Sequence, residues 1–299
     1  MYLKIEYVDD WKGEICPDVI FNRFDLKYNA GKFLLCTCHD EKYIIPVYES
    51  DGIAFLGVYL CEIPGDIFNR AIKYVFASNK AIKRIRIIYS LNNYCNELSP
   101  YNHWRIVLPG SADELFERMS KKGRYNLKRE KRLLNELGEI IYRHYEAPDI
   151  PEYVVHKFFE LKERTHGYNP HMKKSSYIED ASISDAYTIS LGDDIIAVAF
   201  SCEQCDCVYL ENITYDTQYA KYSIGFLCYV FCLENLIEKG KQEIFLGGGD
   251  YDYKRRFHSI EQTTYSGSIY RNAFCKKSFE YSVKIKDVIK RLLAIQFRA

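Results

Sequence analysis

The sequence lacks an excess of either charge, a long apolar run and a framework of paired cysteines. Basic and acidic residues both number 41, so the formal net charge of the 299-residue chain is zero. This balance argues against a dedicated binder of nucleic acid or of anionic membranes. The longest apolar stretch, residues 224–233, is far too short to cross a bilayer. The eleven cysteines show no regular spacing, which is typical of small buried side chains in a reducing compartment.

Sequence motifs for several common chemistries are also missing. The chain has no P-loop, no Gly-x-Gly-x-x-Gly dinucleotide fingerprint and no Gly-x-Ser-x-Gly nucleophile elbow. Catalysis through a covalent serine or cysteine therefore has no support. The first ten residues contain no apolar signal-peptide core, and we expect a cytoplasmic protein without a membrane span.

The length of the chain exceeds the usual size of one domain. Short β-like runs separated by turn residues fill residues 1–100, and a polar, turn-rich segment at 92–102 indicates a boundary. We therefore expect two α/β units. The first, at 1–100, is small or degenerate, and the second, at 101–299, ends in an amphipathic helix.

The second unit shows alternating strand and helix patterns. Strands are predicted at 104–108, 140–145, 186–191, 195–200, 207–213, 243–246 and 263–270, and helices at 124–137, 151–166, 224–238 and 276–297. A further helix begins at Ser111, where Glu114 completes a capping box. The most informative part is the order strand, loop, helix, strand over residues 208–246.

The loop at 215–223 leads into a helix whose first turn contains Gly225. Unpaired backbone N–H groups and the helix dipole favour an anion at such a position. Gly225 permits close approach of a diphosphate, Ser223 can cap the helix and donate its hydroxyl, and Lys221 adds positive charge. The alternative is an ordinary helix N-terminus without a ligand.

Several motifs follow one another in a fixed order between residues 104 and 272. They are a Trp-strand with Leu-Pro and an Arg/Lys-rich helix at 104–137, Tyr215-Asp216, Tyr219-Ala-Lys-Tyr-Ser-Ile-Gly225, Gly240, Gly247-Gly-Gly-Asp250 and Tyr253-Lys-Arg-Arg-Phe257. In this order they resemble the CelD/BioF-like acetyltransferases of the GNAT fold, which are relatives of the Fem aminoacyltransferases. Two departures concern the acyl-CoA loop. Ile224 replaces the family's proline, and Ala220 and Ser223 stand where a basic residue and a glycine are usual.

The resemblance implies a GNAT-like mixed sheet flanked by helices, in a tandem pair whose N-terminal unit is degenerate. It also implies direct acyl transfer from acetyl-CoA or another acyl-CoA, without a metal, to an amine or hydroxyl of a sugar, sugar precursor or small metabolite. The thioester would lie along the strand that ends at Ile213. The residues expected to bind the donor are Asn212, Ile213, Lys221, Ser223, Ile224 and Gly225.

The same resemblance suggests catalytic candidates. In the Fem relatives a lysine matching Lys254 lies near the reacting centre, so Lys254 is the leading candidate, with Asp250 beside it. Glu211 and Asp216 flank the expected acyl site and are candidate general bases. Tyr222 is a candidate proton donor to the leaving thiolate.

Each of these candidates also has a purely structural interpretation. Glu211 is equally suited to pair with a lysine across the sheet, and Asp250 suits a turn. Lys254 forms a basic run with Arg255 and Arg256 that solvent would stabilise.

Two clusters invite other functions. Residues 121–132 hold seven basic residues and one acidic one. We favour the interpretation of this cluster as a solvated helix face over its interpretation as a nucleic-acid-binding surface. The exception is transfer from aminoacyl-tRNA, as in the Fem relatives, where this surface would bind tRNA. Cys202-x-x-Cys205-x-Cys207 resembles a zinc motif but lacks a fourth ligand. A catalytically inactive binding module is the third functional alternative.

Overall fold

A computed structural model of the chain describes residues 3–8, 32–39, 41–56, 63–166, 178, 183–204, 207–249 and 251–296. These residues form two compact units. The first contains the described residues up to Pro100 and those from Thr264 onward, and the second contains Tyr101–Thr263. The division falls near residue 100, and the segment from Thr264 onward groups with the first unit, whereas the sequence prediction has it in the second.

The strands and helices follow one another along the chain in a regular order. They are β1 (Leu3–Val8), β2 (Lys32–Cys38), β3 (Glu41–Ser50), β4 (Ile53–Leu56), α1 (Gly65–Ser78), β5 (Arg84–Ser90), β6 (Leu98–Val107), α2 (Ala112–Glu117), α3 (Lys121–Asn135), β7 (Ile140–Glu146), α4 (Glu152–His166), β8 (Asp185–Leu191), β9 (Asp194–Gln204), β10 (Cys207–Tyr215), α5 (Ile224–Glu238), β11 (Glu243–Gly248), β12 (Ile260–Tyr270) and α6 (Ala273–Gln296). Short 3-10 turns lie at Thr217–Tyr222 and Asp252–Phe257. None of the described helices is long and apolar enough to cross a membrane.

The first unit is a mixed sheet with the strand order β1-β2-β3-β4-β5-β12. Its strands are antiparallel except for β4 and β5, which run parallel and are joined through α1. Alternate residues of β2 are buried, as expected for a strand with one face on a core. Helix α1 buries Phe68, Ala71 and Val75 at helical spacing, which fixes it against the sheet.

The second unit repeats this topology with the strand order β7-β8-β9-β10-β11-β6. Strands β7 to β10 are antiparallel to their neighbours, and α5 joins β10 to β11, which lies parallel to β10. On its other side β11 pairs with one antiparallel strand. That neighbour, β6, comes from the chain segment before the unit's other strands. The shared strand order is the arrangement that a tandem pair predicts, and the predicted mixed α/β sheet is confirmed.

The sheet of the second unit is covered on both faces. Residues 196–200 of β9 are fully buried without alternation, which is typical of a strand between two layers. Helix α5 has ten buried residues and packs against β8, β9 and β10. Helix α4 packs against β9 and β10, with the Phe158 and Phe200 rings 4.8 Å apart. This double burial makes β10, which leads to the candidate site, a rigid support.

The predicted helix ends agree with the structure for α5 and differ from it at the start of α3. The predicted bounds 224–238 are confirmed for α5, and the Ser111 side chain accepts a hydrogen bond from the Glu114 N–H at the start of α2. Helix α3 begins three residues before its predicted start because the Ser120 side chain accepts from the Gly123 N–H, 3.1 Å away.

Candidate active site

Strands β10 and β11 separate after a short paired segment. Their parallel pairing covers residues 207–209 of β10 and 243–245 of β11, although β10 continues to Tyr215 and β11 to Gly248. In the pairing of β10 with β9 the register shifts between Leu210 and Asn212, so Glu211 is the extra residue of a bulge. On the side that faces β11, the last residues of β10 therefore have backbone groups that the sheet does not use, and a ligand can bind there.

The connection from β10 to α5 is tightly turned. The 3-10 turn at Thr217–Tyr222 is followed by Ser223, which has a left-handed backbone with φ of 51°. The Ser223 carbonyl accepts from the Leu227 N–H, but its side chain forms no capping hydrogen bond. The prediction that the Ser223 side chain caps α5 is therefore wrong. The Ser223 hydroxyl forms no hydrogen bond with the described residues, so this hydroxyl is available to an acyl-donor substrate.

The predicted donor-binding residues at and just before the start of α5 differ in exposure. A Cβ atom on Gly225 would lie 2.6 Å from Cδ1 of Tyr215, so the glycine is needed by that ring. Ile224 is fully buried, and Lys221 is exposed with its Nζ 5.0 Å from the Tyr222 ring centre. The group that approaches Gly225 closely is thus the Tyr215 ring of the same chain. Lys221 faces solvent just before this helix start.

The two candidate bases lie in different surroundings. Asp216 is buried, accepts from the Gln218 N–H at 2.9 Å and lies 3.6 Å from a guanidinium nitrogen of Arg164. Glu211 is half-buried at the bulge, with its Oε2 shielded from solvent. Asp216 therefore has a defined role in the turn, whereas Glu211 stands where the strands separate.

Lys254 is almost completely buried at the end of β11. Its exposed fraction is 1%, and its ammonium group donates to the carbonyls of Gly247 at 3.1 Å and Gly248 at 2.6 Å. The alternative of a solvated basic run is wrong for this lysine and right for Arg255 and Arg256, which are exposed. Asp250, predicted beside it, lies outside the described residues.

His103 is a residue that sequence reasoning missed. It lies on β6 opposite Gly248 of β11, and 1% of it is exposed. Burial, and secondly the positive charge of Lys254, lower the pKa of His103 to about 4. Its imidazole is therefore neutral at pH 7 beside the buried ammonium group. A single histidine on a strand gives no local signal, since only the pairing of β6 with β11 brings it here.

Of the two clusters with metal-ligating side chains, the one that lies wholly within the described residues already contains a protein cation. His144, Glu146 and Asp185 lie together, but Nζ of Lys239 stands 2.6 Å from a carboxylate oxygen of both acids and takes the place of a cation. The hydrogen bond and charge of Lys239 lower the pKa of Glu146. In the Cys202 motif, Cys202 is buried on β9 and Cys205 lies outside the described residues.

Comparisons with known proteins support the fold. Residues 121–255 match a family model described as an acetyltransferase (GNAT) domain, and no curated protein sequence matches the chain. The C-terminal domain (DUF2156) of a putative lysylphosphatidylglycerol synthetase from Agrobacterium fabrum is 14% identical, with a TM-score of 0.58 over 88% of this chain and 91% of that one. L-PGS from Bacillus licheniformis is 11% identical, with a TM-score of 0.54 over 81% of this chain and 85% of that one. FemX is 9% identical, with a TM-score of 0.51 over 78% of this chain and 83% of that one.

At these identities the structural likeness shows the fold alone. Together with the family match, it confirms the predicted GNAT-like mixed sheet with flanking helices. The CelD/BioF-like group remains a prediction.

Proposed function

We propose that the second unit transfers an acyl group from acyl-CoA to an amine or hydroxyl acceptor at the opening between β10 and β11. The observation that carries the proposal is the separation of these strands after Tyr209 and Phe245, with the bulge at Glu211 where the pairing ends. An extended donor can add its own hydrogen bonds to β10 there, as an extra strand does. Sugars, sugar precursors and small metabolites are the acceptor class that the family resemblance implies.

In this mechanism the thioester carbonyl lies beside Asn212 and Ile213, where a backbone N–H polarises it. The acceptor nitrogen or oxygen attacks the carbonyl carbon and its proton passes to Glu211. The carbon–sulfur bond then breaks, and the thiolate takes a proton from Tyr222. We favour Glu211 as the base because it lies at the bulge where the pairing of β10 with β11 ends.

The contacts of Lys254 suit a positioning role. Its ammonium group already donates to two carbonyls of the glycine run, so it holds the end of β11 in the shape that the opening needs. Burial, and secondly this charge, lower the pKa of His103 to about 4, so the imidazole stays neutral at pH 7 and is a weak proton acceptor.

The start of α5 is the proposed contact for the phosphates of the donor. Its first-turn N–H groups have no side-chain cap, and a helix N-terminus favours anions. Lys221 and the Ser223 hydroxyl lie just before this helix start. These contacts replace the basic residue and glycine that the usual acyl-CoA loop supplies.

Aminoacyl-tRNA is the second candidate donor, and the surface of α3 is the observation that favours it. Six of its seven basic side chains are exposed, namely Lys121, Lys122, Lys128, Arg129, Lys131 and Arg132. The seventh, Arg124, instead donates to the carbonyls of Phe116, Glu117 and Met119 and so ends α2. An exposed basic helix can bind an RNA backbone through its phosphates.

Calorimetric titration with acetyl-CoA tests the first donor. We expect micromolar binding that Lys221→Glu weakens at least tenfold, whereas Lys73→Glu, an equivalent change on the exposed face of α1, leaves it unchanged. An acceptor screen that detects free CoA thiol would follow.

Absence of binding at millimolar acetyl-CoA would exclude this donor, and transfer from charged tRNA would then be assayed. If neither donor is bound or consumed, the inactive binding module is the remaining explanation.

A further inference from the structure

A polar cleft of about 390 Å³ opens between the start of α3 and the 3-10 turn at Asp252–Phe257. Both segments belong to the second unit. Four of the residues that line the cleft are cationic, Arg118, Lys122, Arg255 and Arg256, and Glu130 is the one acidic lining residue. The cleft is therefore strongly positive in a chain whose net charge is zero.

Contacts with the protein hold the three guanidinium groups in place. Cζ of Arg256 lies 4.4 Å from the Phe226 ring centre, and Cζ of Arg255 lies 5.2 Å from that of Trp104. Arg118 donates to the Val107 carbonyl. Planar groups positioned in this way lose little conformational freedom when an anion binds.

Three of the cleft cations, Arg118, Lys122 and Arg256, differ in their ion pairing from other arginines of this unit. Arg105 pairs with Glu243 at 2.7 Å, and Arg132 lies 3.7 Å from Glu136. Among the residues that the structure describes, Arg118, Lys122 and Arg256 have no carboxylate within 4.0 Å. Guanidinium groups with unused N–H donors are the groups that bind phosphate oxygens in pairs.

We propose that this cleft binds a phosphate-bearing small ligand, with Arg256 and Lys122 as its main contacts. A volume of about 390 Å³ suits a diphosphate or phosphomonoester group with part of its ligand rather than a nucleic-acid strand. A strand of RNA would also contact the opposite side of α3, where Lys121 and Arg132 project. The inference does not require acyl transfer, because binding is measured without a donor.

Titration calorimetry of the full chain with inorganic pyrophosphate tests the proposal. We expect saturable binding that Arg256→Ala and Lys122→Gln each weaken at least tenfold. Arg256→Lys should restore only part of the loss, because lysine keeps the charge but not the planar donor pair. The matched control is Arg132→Ala, which removes an exposed cation of the same helix outside the cleft and should leave binding unchanged.

Three results would overturn the proposal. They are absence of saturable binding, equal losses in Arg132→Ala and Arg256→Ala, and tighter binding of an RNA oligonucleotide that depends on Arg132. Urea unfolding of each variant checks that the fold is intact. Titrating acetyl-CoA into the pyrophosphate-saturated protein then shows whether the phosphate belongs to the acyl donor: unchanged affinity assigns the cleft to another substrate, and competition assigns it to the donor.

Discussion

The buried imidazole of His103 should make the stability of the protein depend on pH in a defined window. The ordinary pKa of histidine is 6.5, and burial followed by the charge of Lys254 lowers that of His103 to about 4. As the pH falls below 6.5 the unfolded chain binds this proton first, so stability present above 6.5 is lost progressively down to about pH 4. The difference between the two pKa values corresponds to about 3 kcal/mol of unfolding free energy.

Urea unfolding of the wild type and of His103→Gln at pH 7, 5.5 and 4 measures this contribution. Carboxylates also titrate in this range, but they do so in both proteins, so the comparison isolates the imidazole. Between pH 7 and pH 4 the free energy of unfolding of the wild type should fall by about 3 kcal/mol more than that of the variant. In Lys254→Met the pKa of His103 should rise while staying below 6.5, because burial is the larger cause.

Parallel pH profiles for the wild type and His103→Gln would refute this reasoning. An NMR titration that gives His103 a pKa near 6.5 would do the same, since it would mean that the imidazole is exposed to solvent or paired with an anion in solution. Either result would also show that burial and Lys254 do not lower the pKa of His103.

Substitutions at four positions, Glu211, Asp216, Lys254 and Ser223, test other parts of the site. Glu211→Gln should lower kcat by roughly 100- to 10,000-fold with unchanged urea stability, whereas Asp216→Asn should lose about 1 kcal/mol of stability and keep kcat within a few-fold; the reverse pattern would exchange their roles. Lys254→Met leaves two half-buried carbonyls without this donor and should cost about 2–5 kcal/mol in urea unfolding. A loss below about 1 kcal/mol would contradict the two hydrogen bonds. The free energy of unfolding of Ser223→Gly should exceed that of Ser223→Ala by about 1 kcal/mol, because both variants lack the hydroxyl and only glycine tolerates a positive φ without strain. Equal urea midpoints of the two variants would contradict the left-handed backbone at residue 223.

Helix α5 and its flanking strands could be predicted because their signals are local. An apolar run that begins after Ser223 and stops before Gly240 defines a buried helix, and the predicted bounds agree with the structure. The strands on either side are short apolar segments bounded by turns. Patterns of this kind depend on neighbours within a few residues, which is what a sequence displays directly.

The pairing of distant strands could not be predicted in this way. Strand β12 pairs with β5, more than 170 residues earlier, and β6 pairs with β11. Nothing in the residues of β12 distinguishes one partner strand from another, because alternation defines a face and not a neighbour. The different grouping of the C-terminal segment and the missed His103 both follow from this limit.

The basic run at residues 254–256 shows how local geometry decides what composition leaves open. A 3-10 turn has three residues per turn, so consecutive side chains point in directions about 120° apart. Lys254 therefore points into the protein, where two carbonyls satisfy it, while Arg255 and Arg256 point outward toward aromatic rings. From composition alone the three residues are equivalent.

This turn also connects the two proposals physically. The cation that it buries holds the end of β11 beside the opening, and the cations that it exposes line the positive cleft. A phosphate bound by Arg256 would therefore lie two residues along the chain from the lysine that shapes the opening. A substrate anchored by its phosphate in the cleft would be held at a fixed distance from the carbonyl to be attacked, and such anchoring lowers the entropic barrier of a two-substrate reaction. On this argument the cleft contributes orientation to the reaction, and the opening between the strands contributes the chemistry.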